Sequence, residues 1–231
     1  LYFPAAGALC EIFNRQNATT RCYVESNPDS FVNLRALRNG AIDFAIVQSD
    51  WVRQAAMGIG PFREEGAHEN LRTIFSLHGE ALTLLATKSS GVSSSLALAN
   101  MRVNIGPNGT YQRLLSDWLL EAQGLGHWNF AKILDLPEAE QMAALCNGEV
   151  DVITLVAAHP SPRVTEITSR CNASVIPIDL RAIKKLVKRR NGLSQITIPS
   201  GYYSNSSAAI KSFGLRAVLV TNERVGNAIV D

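Results

Sequence analysis

No apolar run in this sequence approaches the ~20 consecutive residues that a membrane-spanning helix needs. Charge of neither sign dominates: 22 Lys and Arg stand against 20 Asp and Glu, a formal net charge of +2. That balance does not single out nucleic acid as a partner. Charged residues make up only 18% of the chain and hydrophobic ones 46%, which excludes a disordered polyelectrolyte and supplies a buried core. The four cysteines, Cys10, Cys22, Cys146 and Cys171, include no Cys-x-x-Cys pair, which disfavours zinc ribbons and thioredoxin chemistry. His68, His78, His127 and His159 show no metal-ligand spacing, and Gly106 to Gly109 matches neither the P-loop nor the dinucleotide fingerprint. There is no Gly-x-Ser-x-Gly elbow. No cofactor and no metal are expected.

What is present is an internal echo. The phrase LRNGAIDFAI, Leu37 to Ile46, returns as LCNGEVDVIT, Leu145 to Thr154, each residue 108 positions after its counterpart. In both copies an amphipathic helix meets Asn-Gly (Asn39-Gly40, Asn147-Gly148), and an Asp follows (Asp43, Asp151) before an apolar run. Glycine past a helix end enters the left-handed region without a Cβ clash. The run after it is short and rich in β-branched residues, as strands are. Two similar α/β lobes with a cleft for a ligand are therefore expected.

Strand and helix patterns alternate along the chain, which predicts an α/β fold with mostly parallel sheets. Helices are expected over 4–14, 31–38 with Ser30 as cap, 51–57 with Asp50 as cap, and 111–123 between a Thr110 cap and Gly124. Strands are expected over 21–25, 43–47, 71–77, 81–87, 150–156 and 217–221, with Gly79-Glu80 separating two of them. The Ser/Gly-rich stretch 89–95 marks a crossing, so one lobe comprises 1–90 with 192–231 and the other 91–191. The basic run Lys184, Lys185, Lys188, Arg189, Arg190 reads as a solvated helix face or as a docking patch. Asn-x-Ser/Thr matches at Asn17, Asn108, Asn172 and Asn205 read as incidental. Leu1 opens on what reads as a strand end, so a leader is expected to have preceded it.

Three segments join a strand's carboxyl end to an opening helix: Ser26 to Ser30, Gln48-Ser49-Asp50, and Gly106 to Arg113. Backbone N–H groups at helix starts suit a small anion such as a carboxylate. Arg113, one turn into its helix, has the geometry of a carboxylate clamp or of a plain surface arginine. His159 before Pro160 is a ligand contact or a loop-fixing residue, and His78 near Glu80 is a weak acid/base pair. The cysteines fall into two sequence-local pairs, one per lobe, as two disulfides in an oxidising compartment would; four reduced buried thiols are the alternative.

Tyr2-Phe3-Pro4-Ala5-Ala6-Gly7-Ala8 resembles the YYPxGGA opening of the TAXI solute receptors, the extracytoplasmic binding proteins of TRAP-type secondary transporters. Val24-Glu25-Ser26 with Ser30, Val47 to Trp51, Ser76 to Glu80, Val103 to Gly106 through Gln112-Arg113, Leu145-Cys146, His159-Pro160, Ile198 to Gly201 with Tyr203, and Leu219 to Thr221 continue the likeness in the family's order. The cysteines match a branch of that family with the same two sequence-local pairs. The resemblance implies a class II periplasmic-binding-protein fold, a periplasmic location, no catalysis, and TRAP transporter membrane subunits as partner. It implies a glutamate-, glutamine- or 2-oxoglutarate-like ligand, with Phe3, Gly7, Ser30, Gln48, Ser49, Asp50, Gly109, Thr110, Tyr111, Gln112 and Arg113 lining the pocket. Two departures bear on the ligand. Asn27-Pro28-Asp29-Ser30 replaces Thr-Gly-Gly-Ser, bringing a carboxylate toward an anion site and removing a donor at Pro28, and Tyr111 replaces a glycine. A dehydratase-like enzyme and a sensor domain of a signalling system are the rival readings.

Overall fold

Glycine-stopped helices and short strands follow one another along most of the chain, and the described residues of the computed structural model are 2–27, 29–204, 207–226 and 229. They form two compact units, Leu1–His78 with Arg216–Asp231, and Gly79–Leu215. The divisions thus fall at 78/79 and 215/216, where the sequence reading places them at 90/91 and 191/192. Asn205 and Pro28, both singled out from the sequence, lie outside the described residues.

The first unit holds α1 (Phe3–Gln16), α2 (Ser30–Asn39), β1 (Phe44–Gln48) and α3 (Ser49–Met57), with the leading part of β2 (Leu71–Thr87) and the closing part of β8 (Ile210–Asn222). β1 runs antiparallel to β8, from Phe44 opposite Thr221 to Gln48 opposite Ala217. Its core joins Leu34 and Leu37 of α2 to Val47, Ala55, Phe62 and Val220. The rings of Phe31, Trp51 and Phe62 pack with centroids 5.0 to 6.0 Å apart.

The second unit holds β3 (Arg102–Asn104), α4 (Tyr111–Gln123), β4 (Lys132–Leu134), α5 (Glu138–Cys146), β5 (Val152–Ala157), α6 (Pro162–Arg170), β6 (Ala173–Ile176), α7 (Leu180–Arg189) and β7 (Ser194–Ile198). β3 is parallel to β4 and β5. β5 and β6 are antiparallel to β2, and β7 to β8. Leu115 and Leu119 of α4 and Ile183 and Leu186 of α7 meet in one core with Val103 and Phe213. A second core gathers Leu145, Ile153, Val164 and Ile167.

The sheet is therefore mixed, not mostly parallel, because the long strands β2 and β8 run against their neighbours. Gly79-Glu80 does not interrupt β2, which is one strand of 17 residues. A Cβ on Gly79 would lie 2.8 Å from Ile196 Cδ1, so this glycine admits a neighbour instead of making a turn. The strand expected over 21–25 is irregular backbone. It is held by Cys10–Cys22 and by Asn14, whose Oδ1 accepts from the Cys22 N–H at 2.7 Å. The second disulfide, Cys146–Cys171, joins the last residue of α5 to the C-cap of α6. Each unit thus carries one of the two sequence-local pairs.

The echo is structural. Gly40 and Gly148 both have positive φ, 81° and 71°. The Gly40 and Ala41 N–H groups donate to the Leu37 and Ala36 carbonyls, and those of Gly148 and Glu149 to Leu145 and Ala144, the same bonds 108 residues on. Such paired bonds close a helix by satisfying its last carbonyls. An arginine clasps each turn. Arg224 donates to the Leu37 and Ile42 carbonyls. Arg102 donates to the Gly148 carbonyl and to both oxygens of Asp151, holding that carboxyl below its ordinary range.

Candidate functional site

In the first unit, a buried hydroxyl gathers part of the expected set. Ser30 is the first residue of α2, and its Oγ accepts the Gln48 N–H at 3.2 Å, where β1 passes into α3. Ser49 Oγ in turn accepts the Arg216 N–H at 3.2 Å. Two caps differ from the sequence reading. Asp29, not Ser30, caps α2, its carboxylate accepting the Val32 N–H at 2.9 Å. Asp50 lies in the first turn of α3 and does not cap it. Asp29 therefore has a structural task at the helix start, which favours a negative charge there.

The N-cap residues of α1 and α3, Tyr2 and Gln48, do not cap their helices with their own side chains. Phe3 opens α1 with 54% of its surface exposed. Tyr2, just before it, lies against His78 with ring centroids 6.1 Å apart. Gly7 faces open space: a Cβ there would meet nothing within 4 Å, and its φ is not positive. Among the described residues no neighbour requires glycine at this point. Gly7→Ala should stabilise α1 by roughly 0.5–1 kcal/mol and, if Gly7 lines the pocket, weaken ligand binding. Calorimetry showing unchanged affinity in the stabilised variant would remove Gly7 from the set.

In the second unit, Gly109 (φ 80°) and Thr110 lead into α4. Thr110 Oγ1 donates to the Pro107 carbonyl at 2.7 Å and accepts the Arg113 N–H at 3.2 Å, the cap expected from sequence. Arg113 is largely buried, and its Nε donates to Asp117 at 2.9 Å one turn on. Tyr111 packs against the core beneath. Gln112 turns inward. Its Nε2 donates to the Thr154 carbonyl at 2.5 Å, and its Oε1 accepts from Gln141 at 3.1 Å. Ser116 Oγ donates to Thr154 Oγ1 at 3.0 Å, completing a buried polar cluster behind the helix start. This cluster holds Gln112 for structure, and it also explains Gly106: with φ 84°, a Cβ there would lie 2.5 Å from the Gln112 side chain. Asn104, Gln141 and Thr154 carry no motif, and only their burial on the inner side of β3, α5 and β5 reveals them.

His159 follows β5 in a cis peptide with Pro160. Tyr203 Oη accepts the Ser161 N–H at 2.9 Å and lies 2.5 Å from His159 Nδ1. A phenol has one proton, so it donates to Nδ1. Nε2 then carries the imidazole proton and donates to Thr83 Oγ1 at 2.9 Å, and Thr83 passes its own proton to the Ala81 carbonyl at 3.1 Å. Only the neutral ring satisfies this chain, and burial pushes the His159 pKa down to about 4. Of the two sequence readings of His159, the geometry supplies the loop-fixing bonds, with both ring nitrogens engaged inside the unit. Thr83 carries no sequence signal, and Tyr203 enters only through the family likeness; their bonds to His159 are invisible locally because they lie 76 and 44 residues away.

Among the described residues no group of three or more His, Cys, Asp or Glu is placed to hold a metal ion. No helix there is long and apolar enough to cross a membrane.

The fold recurs in solved structures. A TctC solute binding protein from Polaromonas is 16% identical over 97% of this chain and 74% of its own, with a TM-score of 0.62. The periplasmic aliphatic sulphonate binding protein SsuA from Escherichia coli is 14% identical over 97% of this chain, with a TM-score of 0.57; the chain spans 59% of its length. A putative sulfonate-binding SsuA from Methylobacillus flagellatus gives 16% identity, 96% and 55% coverage, and a TM-score of 0.56. At these identities the likeness is one of fold, the periplasmic-binding-protein fold. The model of the NMT1-like family matches residues 1–230, and the chain belongs to that family.

Proposed function

We propose that this chain is an extracytoplasmic solute receptor of the TAXI kind. It captures a small carboxylate, glutamate-, glutamine- or 2-oxoglutarate-like, and passes it to the membrane subunits of a TRAP-type transporter. The observation that carries this reading is the start of α4, where Gly109, the Thr110 cap and the guanidinium of Arg113 share one turn. Family membership and a fold shared with solute-binding proteins support it. One disulfide in each unit supports a periplasmic location, since such bonds persist in oxidising compartments.

Asp117 takes the Nε of Arg113 and so orients the planar group. A ligand carboxylate would pair with the other edge, Nη1 and Nη2, in a bidentate fashion. The backbone of Gly109 to Tyr111 would supply further donors under the favourable helix dipole. In the first unit, Phe3, Gly7 and the Ser30 to Gln48 junction are the proposed contacts. The receptor reading asks for no acid/base pair. His159 of the second unit, half-buried, has both ring nitrogens engaged as a structural link.

Arg113→Ala should weaken the ligand at least tenfold, since a hydrogen bond to a charged group contributes about 1.5–3 kcal/mol. The ligand is first found by thermal shift across acidic amino acids, oxoacids, their amides and neutral amino acids, because a ligand of the folded state raises Tm with concentration. An affinity in Arg113→Ala equal to that of the parent, measured by calorimetry, would take Arg113 out of the site. No shift with any acid would overturn the carboxylate reading.

A further inference from the structure

The helix α7 carries a cationic face that the proposed ligand site does not use. Arg181, Lys184, Lys185, Lys188 and Arg189 are all exposed, at the i, i+3, i+4, i+7, i+8 spacing of one helix face. Its opposite face, Ala182, Ile183 and Leu186, is buried in the core of the second unit. Among the described residues none of these five cations makes an ion pair. The next cation, Arg190, does, binding Glu121 at 2.8 Å and stacking on Trp118 at 4.4 Å. Like charges three and four residues apart repel, so the arrangement is unfavourable in isolation and favourable against an anionic surface. In a chain of net charge +2, five cations on one short helix are a concentrated patch; among the described residues only Lys185 of the five is bonded, to the Ala122 carbonyl at 3.1 Å.

Two exposed leucines adjoin it. Leu180, 48% exposed, opens α7, and Leu96 is 67% exposed. The segments that carry them meet where Ser95 Oγ accepts the Asp179 N–H at 3.0 Å. We propose that the α7 face, with Leu96 and Leu180 at its edge, rests on the headgroups of an anionic phospholipid bilayer. The composition favours lipid over an acidic protein. Three of the five cations are lysines, mobile point charges suited to a diffuse phosphate field rather than to fixed bidentate pairs. No aromatic anchor sits on the α7 face, whereas tight protein interfaces centre on one. Because the apolar side of α7 is already buried in protein, contact is peripheral, the lysines reaching headgroups along their stems. The inference goes beyond the ligand reading and does not depend on it.

The test is flotation of the purified full chain, without added solute, with vesicles of neutral phosphatidylcholine and of phosphatidylcholine mixed with phosphatidylglycerol. Binding is expected to the anionic vesicles alone, and to weaken steeply from low salt to about 0.15 M, where the Debye length falls to about 8 Å. Lys184→Gln/Lys185→Gln/Lys188→Gln should bind roughly 100-fold more weakly, at about fivefold per basic residue. Its Tm should stay close to the parent's, since the three side chains are exposed and the one bond lost is the exposed contact of Lys185 with the Ala122 carbonyl. Lys132→Gln/Lys211→Gln, which removes cations elsewhere, should bind as the parent does. Failure of the parent to float with anionic vesicles at low salt overturns the proposal, as does equal binding by the α7 variant. Retention on an immobilised acidic polypeptide without flotation assigns the face to a protein partner and overturns it equally.

Discussion

Replacing Gly214 with alanine should destabilise the protein by about 3 kcal/mol, lowering Tm by roughly 6–12 °C for a chain of this size. Gly214 lies in β8 without a positive φ, so the cause is steric alone. A Cβ there would sit 1.9 Å from the Glu80 carbonyl oxygen, 2.8 Å from its carbon and 3.1 Å from the Ala81 Cα. The obstacle is backbone of β2, which cannot rotate aside as a flexible side chain would. Either the strands separate, losing their close contact, or the clash stays. Gly214 also pairs with Ser194 of β7, so moving β8 loosens a second strand. Urea denaturation and differential scanning calorimetry check this, with Gly7→Ala as the contrasting glycine that meets nothing. A Gly214→Ala protein with the parent's Tm would mean that β2 and β8 do not approach this closely.

Tyr203→Phe should cost about 2–4 kcal/mol, because it strips the buried Ser161 N–H and the half-buried His159 ring of partners at once. The Ser161 N–H loses its acceptor and His159 Nδ1 its donor, while the Tyr203 ring stays in the core. The same relay makes stability depend on pH with a definite sign. His159 titrates near 6.5 when unfolded and at about 4 when folded. Its contribution is fully present above pH 6.5. Below that the unfolded chain takes up a proton that the native ring refuses, and stability falls until the folded pKa is passed. The slope in this window is about 1.4 kcal/mol per pH unit, and the whole loss is at most about 3 kcal/mol, less for screening by nearby water. His159→Gln, which cannot titrate, should be less stable than the parent at pH 7.5 and approach it as pH falls to 4. A gap between the two that stays constant from pH 7.5 to 4 would show that the native imidazole accepts protons freely.

Local chemistry was legible in the sequence wherever one short segment decides the outcome. The range of α4, its Thr110 cap and its Gly124 stop follow from residues within one helix. So does the repeated turn at Gly40 and Gly148, where a positive φ needs glycine. Failures lie where a distant residue decides. Ser30 has the chemistry of an N-cap, but Asp29 outcompetes it, and its hydroxyl is taken by Gln48, 18 residues on. Gly79 reads as a turn until Ile196 is seen packed on it. The partners of the Gln112 amide, Thr154 and Gln141, are equally out of reach of a local reading. Strand direction was misread for a related reason: alternation of helix and strand implies parallel neighbours only if the chain does not return, and β2 and β8 do.

The two arginine clasps described above reach their turns over unequal distances along the chain. Arg102 is 46 residues from Gly148, whereas Arg224 is 187 residues from Leu37. β1 likewise waits for residues 217–221 before its edge is paired. The second unit is one uninterrupted stretch, Gly79–Leu215. On a ribosome, therefore, the second unit can close on itself while the first still shows a bare strand edge and a helix end without its clasp. Unpaired edges of that kind are what holding factors bind and what aggregation recruits. The strand vulnerable during synthesis is Phe44–Gln48, which is made long before residues 217–221 that cover it.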